Sequence, residues 1–301
     1  MELSQEIGHE IAKTVAGMTA EQAVYHTIRK LQVLGQEGAV IPPATERNIF
    51  HPAHITAKTI SDAWFQIIYN IFDNSYRQDI QQGSFEKEQY RLQYPGLSIF
   101  IEYPWLDMVP LIPAHLGIPA PTTEEYIQDY FATYLMDPDL SENETYRYAS
   151  RIHELILLKD AVRSMTSQLD AVINMLRRTP LTNQATIEIG KPEDIVNCYG
   201  KDGKLDPPCL RVLDFKAIPH AGELALTVNC YFRSWDLWAG LPTNLGGIEL
   251  LKQYISSETG LQNGPMYAYT AGGHIYGYQE EMARIRTVRH EMSATTMARR
   301  F

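Results

Sequence analysis

Cysteine is scarce in this sequence: three among 301 residues, Cys198, Cys209 and Cys230. An odd, sparse set without CxxC spacing or a Cys/His cluster excludes a disulfide-stapled scaffold and predicts no metal site. Reduced thiols in a cytoplasm are the expected setting. Long apolar runs are also missing. The most apolar stretch, residues 97–119, is broken by Glu102, Pro104, Asp107, Pro110 and Pro113, which rules out a membrane span. The start, Met1 to Glu6, is acidic and lacks the basic, then apolar, pattern of a secretory signal. Positive charge is in deficit, with 26 Lys and Arg against 36 Asp and Glu and a net charge of -10, so no nucleic-acid partner is expected. A local pocket for one phosphate remains compatible with that balance. With 45% hydrophobic residues, the chain has ample material for a globular core.

Periodicity divides the chain in two. Ile7, Ile11, Val15 and Met18 recur at helical spacing, and Thr19 with Gln22 resembles a capping box, so residues 1–50 read as a helical N-terminal extension. Residues 51–301 read as one domain. Within it Ile60, Ala63, Trp64, Ile67, Ile68 and Ile71 predict an amphipathic helix. Further helices are predicted over 124–135, 245–258 and 279–292, and a helix or helix pair over 155–176. Strands are predicted over 97–101, 185–189, 209–217 and 224–231, the last two joined by a turn at Pro219 to Gly222. A mixed sheet flanked by helices, class α+β, follows.

Four clusters in the second half carry chemistry. Cys209 follows Pro207-Pro208 at the start of a strand. A thiol of ordinary pKa is a few per cent thiolate at neutral pH, so a nucleophilic role needs a nearby cation, and a 209–217/224–233 hairpin would bring Arg233 to it. Arg233-Ser234 suits a phosphomonoester, the guanidinium as a fork and the hydroxyl as a further donor. The Asn244 carboxamide complements uracil O4 and N3–H, whereas cytosine presents the opposite polarity; Asn here is equally natural as a helix N-cap. His274 and Tyr276 alternate in a strand-like stretch and so face one way, which suits a sugar hydroxyl. Cys198 and Cys230 read as small buried hydrophobes.

Taken in this order, Asp-Pro-Pro-Cys-Leu (206–210), Arg-Ser-Trp-Asp (233–236), Gly-Leu-Pro-Thr-Asn (240–244) and Gly-His-Ile-Tyr (273–276) resemble the thymidylate synthases. The likeness covers roughly residues 55–280. It implies a thymidylate synthase-like mixed twisted sheet, assembled as a homodimer. It implies that Cys209 adds to C6 of a pyrimidine nucleoside monophosphate and that C5 then attacks the methylene of 5,10-methylenetetrahydrofolate, the co-substrate. It further implies Arg233 and Ser234 at the phosphate, Asn244 at the pyrimidine, His274 and Tyr276 at the sugar, and Asp236 and Gly240 at the folate. Tyr148, in Tyr-Ala-Ser-Arg (148–151), resembles the family tyrosine that handles the C5 proton.

The sequence departs from that family pattern in places. Thr182-Asn183-Gln184 stands where the family carries Ser-Arg-Arg, which leaves Arg77 or Arg91 as substitute cations for the phosphate. Leu210 replaces a histidine. Glu124 and Glu125 are the candidates for the family's catalytic glutamate, each also a natural surface-helix residue. After Tyr276 a polar, helix-like tail stands where the family continues to an apolar segment that closes over the folate. Closure excludes water while hydride passes. Without it water is the expected acceptor, giving dUMP hydroxymethylation, as in the related pyrimidine-nucleotide hydroxymethylases. Thymidylate formation, dCMP or CMP hydroxymethylation, and a noncatalytic nucleotide-binding relative are the alternatives.

Overall fold

The structure, a computed structural model, describes residues 51–80, 89–140, 146–157, 165–198 and 207–289, all in the unit Ile49–Phe301. The helical extension expected over residues 1–50 lies outside the described residues.

Alternation of apolar and polar residues builds the main sheet. Strands β1 (Ala53–Ala57), β4 (Leu97–Ile101), β11 (Gln262–Thr270), β9 (Glu223–Phe232), β8 (Leu210–His220) and β7 (Thr186–Glu188) lie side by side in that order. The β1–β4 and β11–β9 pairs are parallel and the rest antiparallel, so the sheet is mixed. In β1 and β4 every second residue is buried, which sends Ile55, Leu97, Ile99 and Ile101 into the core. The expected β8–β9 hairpin is present, closed by Ala221 and Gly222. Both turn residues have left-handed backbone, φ 51° and 86°, which matches a two-residue turn to the strand twist. A register shift between Leu210 and Val212 lies next to Cys209, where a bulge can re-aim the preceding side chain.

A second sheet, β10 (Trp235–Asp236), β12 (Gly273–Tyr276), β3 (Tyr90–Gln93) and β2 (Tyr76–Asp79), carries the expected sugar residues His274 and Tyr276 and the substitute cations Arg77 and Arg91. Helix α1 (Ile60–Asn74) buries the apolar stripe read from the sequence, with Thr59 accepting the Asp62 N–H as its N-cap. Its Trp64 is fully buried and donates its indole N–H to the Trp238 carbonyl at 2.9 Å, tying α1 to the segment that precedes the long helix.

Three expectations need correction. Residues 155–176 are neither one helix nor a helix pair: Leu155–Leu157 form strand β5, paired with β6 (Met165–Ser167), and a single helix, α4, spans Gln168–Arg178. Ser167 caps α4 by accepting the Asp170 N–H, a start signal that overrides the apolar run before it. The predicted 124–135 helix divides into α2 (Glu124–Tyr130) and a π-helical turn, Phe131–Met136. The helix placed at 245–258 begins earlier, as α6 (Gly240–Thr259). Pro242 is tolerated there because N–H groups in a first turn have no intrahelical partner. Asn244 therefore lies inside the helix and is not its N-cap. Strand β11 was not expected; it contains Gly264-Pro265, which the structure absorbs at a register shift between Asn263 and Met266.

Helix α3 (Tyr148–Ile152) carries Tyr148, and α5 (Pro192–Cys198) precedes the hairpin. Helix α7 (Gly277–Thr287) and Arg289 just beyond it lie against α1 through stacked cations. Arg284 sits over Phe72, Arg286 over Phe65 and Arg289 over Tyr69, with Arg289 also paired to Asp73. In α6, Glu249 and Lys252 form an ion pair at 2.9 Å with both side chains wholly excluded from solvent. Asn263 and Gln253 donate to Glu249, and Lys252 donates to the Gly264 carbonyl, so the pair is held by further bonds.

Candidate active site

The hairpin's open end sets the position of Cys209. The Arg233 backbone N–H donates to the Cys209 carbonyl at 2.9 Å, and the Arg233 guanidinium donates to the carbonyls of Pro207 and Pro208. The cation therefore lies on the same segment as the thiol, as the hairpin predicts. Ser234 follows, half-buried. The close approach of this segment to β12 requires a glycine: a Cβ on Gly272 would sit 2.6 Å from the Arg233 carbonyl oxygen.

Tyr148 reaches the same place from α3. Its hydroxyl accepts the Leu210 N–H at 3.2 Å, one residue past the thiol. Burial raises its pKa well above the ordinary phenol value, and the neighbouring Cys209 raises it further. Tyr134 meets it edge-on at 5.2 Å and stacks in turn on Tyr130, so three rings form one wall.

His274 and Tyr276 of β12 stand edge to face with ring centroids 4.8 Å apart. His274 is buried and its Nδ1 lies 2.8 Å from the Gly272 carbonyl, so Nδ1 carries the proton. Its Nε2 is buried with no hydrogen-bond partner. Burial pulls its pKa down to about 4, leaving a neutral imidazole at neutral pH. The unpartnered nitrogen of His274 is therefore an acceptor. Tyr276 is pushed up to about 12, first by burial, then by the Asp236 charge, with Cys209 a smaller contributor.

Asp236 accepts the Trp238 N–H at 2.9 Å and the Gln279 side-chain amide at 3.2 and 3.3 Å. Its pKa is raised by burial, against which the Trp238, Gln279, Ala239 and Gly240 donors act. The carboxylate therefore closes the N-terminus of α6 and ties it to α7. Gly240 opens that helix, and a Cβ there would lie 3.6 Å from the Asn244 side-chain oxygen. That oxygen accepts the Trp235 indole N–H at 2.9 Å.

The structure thus brings Cys209, Tyr148, Arg233, Asp236, Asn244, His274 and Tyr276 into one linked group. Arg91 joins it: in β3 it is paired in register with Tyr276, its positive charge acts on His274 and Tyr276, and it donates to Gln78 at 3.1 Å. Arg77 points elsewhere, over the Tyr90 ring and toward Asp79. Glu124 and Glu125 stand exposed in the first turn of α2 and are not part of the group. Trp235, Tyr130 and Gln279 were not singled out from the sequence. Trp235 lies inside the Arg-Ser-Trp-Asp cluster, but Tyr130 and Gln279 occupy helices whose pattern reads as ordinary packing. Among the described residues, no group of three His, Cys, Asp or Glu side chains is arranged to hold a metal ion. Nor is any helix there long and apolar enough to cross a membrane.

Comparison with known proteins agrees with this architecture. The fold matches the thermostable thymidylate synthase A from Bacillus subtilis with a TM-score of 0.53 at 15% identity, covering 78% of this chain and 86% of that one. Mixed sheets flanked by helices in this arrangement define a thymidylate synthase-like fold. The thymidylate synthase family model matches residues 139–299, and the chain belongs to that family. Relatives from Methanosarcina barkeri and Methanosarcina acetivorans, each titled "Putative thymidylate synthase", are 27% and 26% identical over 76% of this chain and 91% of their own length. Membership carries folate-dependent one-carbon transfer to C5 of a pyrimidine nucleotide, with methylenetetrahydrofolate as co-substrate.

Proposed function

We propose that the chain acts on dUMP, with Cys209 as the nucleophile, and that its product is 5-hydroxymethyl-dUMP. The observation that carries the reading is the shared position of Cys209, Arg233 and Tyr148 at the open end of one hairpin. The Cys209 sulfur adds to C6, which makes C5 nucleophilic; Arg233, Ser234 and Arg91 hold the phosphate, and Asn244 reads the base. The unpartnered His274 Nε2 accepts from a sugar hydroxyl beside Tyr276. Tyr148 serves the C5 proton once the new carbon bond has formed; tetrahydrofolate would then depart to leave an exocyclic methylene on C5, and addition of water there would expel the Cys209 thiolate from C6.

Methylenetetrahydrofolate supplies the one-carbon unit. The residues present fit it: the Asp236 carboxylate is fixed by backbone and Gln279 donors, and Tyr278, stacked on Tyr276, leaves an exposed ring alongside. Tyr278 is 56% exposed, so water has access to this side, which favours the hydroxymethyl product. Thymidylate is the second reading, favoured by the names of the two Methanosarcina relatives.

Incubation with dUMP and methylenetetrahydrofolate, followed by mass spectrometry of the nucleotide, separates the two. Formation of dTMP alone, with stoichiometric dihydrofolate, rejects the hydroxymethyl product. Failure to release tritium from C5 of dUMP rejects the catalytic reading altogether. We further infer a homodimer through the open face of the main sheet, in a reducing cytoplasm. That face carries Phe100 and Tyr267 rings 5.1 Å apart and the exposed Tyr231 and Tyr269; sedimentation velocity tests it.

A further inference from the structure

Asn244 occupies the second turn of α6, half-buried, with its side-chain oxygen on the Trp235 indole N–H at 2.9 Å. An indole nitrogen donates and has no lone pair to accept with. The indole is itself immobile. It is 2% exposed, stacked on Phe232 at 4.0 Å with 6° between planes, and its backbone N–H is held by the Gly272 carbonyl at 3.1 Å. The Tyr130 hydroxyl also lies beside the Asn244 amide, buried and without a formed hydrogen bond. Gly247, one turn beyond Asn244, admits the Tyr130 ring so closely that a Cβ there would meet it at 2.5 Å.

We propose that Trp235, with Tyr130 in support, fixes the polarity of the Asn244 amide and thereby selects uracil over cytosine. The inference rests on Asn244 reading the base, as in the preceding section. A primary amide turned over keeps its shape but exchanges oxygen and NH2. Uracil presents a donor at N3 and an acceptor at O4; cytosine presents the reverse. An amide free to turn would therefore accept either base. Held by the indole, the oxygen keeps a second lone pair for N3–H, while the NH2 group donates to O4. Turning it would set N–H against N–H and leave a buried donor unpaired, a penalty that corresponds to about tenfold or more in population. Trp235 is thus a positioning residue for specificity, acting through Asn244.

The test compares binding of dUMP and dCMP by titration calorimetry, with tritium release from C5 of each, for the wild type, Trp235→Phe and Tyr130→Phe. Trp235→Phe keeps an aromatic ring and deletes the N–H. The wild type should prefer dUMP by about tenfold or more, and folded Trp235→Phe should bring the two nucleotides within about threefold. A folded Trp235→Phe that keeps the wild-type ratio overturns the proposal. If that variant does not fold, Tyr130→Phe decides: a ratio lowered by about threefold supports the lock, and an unchanged ratio overturns it. A wild type that takes both nucleotides equally overturns the lock but leaves the Cys209 chemistry standing. Binding of neither overturns both.

Discussion

The hydroxyl of Tyr148 accepts the backbone N–H of Leu210 at 3.2 Å, so a residue of α3 is bonded to the strand one position past Cys209. The phenol is thereby oriented by the chain segment whose thiol it neighbours.

Tyr148→Phe removes both the acceptor and the ionisable group. Turnover is expected to fall by about 10²–10⁴-fold, the usual range for a lost general acid or base. Cys209→Ser should lose C5 tritium release entirely while binding dUMP nearly as the wild type does. Rapid-quench measurement with calorimetry in parallel checks both; Tyr148→Phe with unimpaired turnover would remove the residue from the chemistry.

His274 gives a pH signature. Its folded pKa of about 4 lies below the unfolded value of 6.5, so between these the unfolded chain binds more protons. The stabilisation it gives is complete above about pH 6.5 and is lost as pH falls toward 4, amounting to about 3 kcal/mol at most. Replacement by Gln should flatten that part of the stability curve, read from urea midpoints between pH 4 and 7.

Lys252→Met deletes the cation from a pair wholly excluded from solvent and strands the Glu249 carboxylate. The expected loss is about 3–5 kcal/mol. Adding Glu249→Gln should restore most of it, because no charge is then buried alone. Equal melting of the single and double variants would mean that Lys252 acts through packing.

Gly272→Ala would place a methyl group 2.6 Å from the Arg233 carbonyl, against backbone that cannot swing aside as a side chain can. A stability loss of about 1–3 kcal/mol and weaker phosphate binding are expected together. Thermal melting and the affinity for dUMP report the two effects separately.

Much of this was readable beforehand where one residue type has one physical use. The β8–β9 hairpin followed from two strand-like runs around Pro219 to Gly222, and α1 followed from its isoleucine spacing. The nearness of Arg233 to Cys209 followed from that hairpin. Long-range pairing was less visible. Nothing local tells Leu155 to Leu157 that their partner is Met165 to Ser167, so an apolar run was given the helical period of its neighbours. Tyr130 was hidden for a similar reason: its role depends on Gly247 of a helix far along the chain, where the missing side chain lets the ring approach. Arg91 is legible as a possible cation, but its place beside Tyr276 depends on sheet register, which the spacing of either residue does not encode.

The stacked arginines of α7 have a mechanical consequence. One end of that helix grips the aromatic flank of α1, and near the other Gln279 holds Asp236. Any event that peels the helix away, whether a proteolytic nick or a shortened chain, would slacken the carboxylate at the same moment. Wear at the periphery would then register first as a looser hold on the second ligand, before the sheet itself gave way.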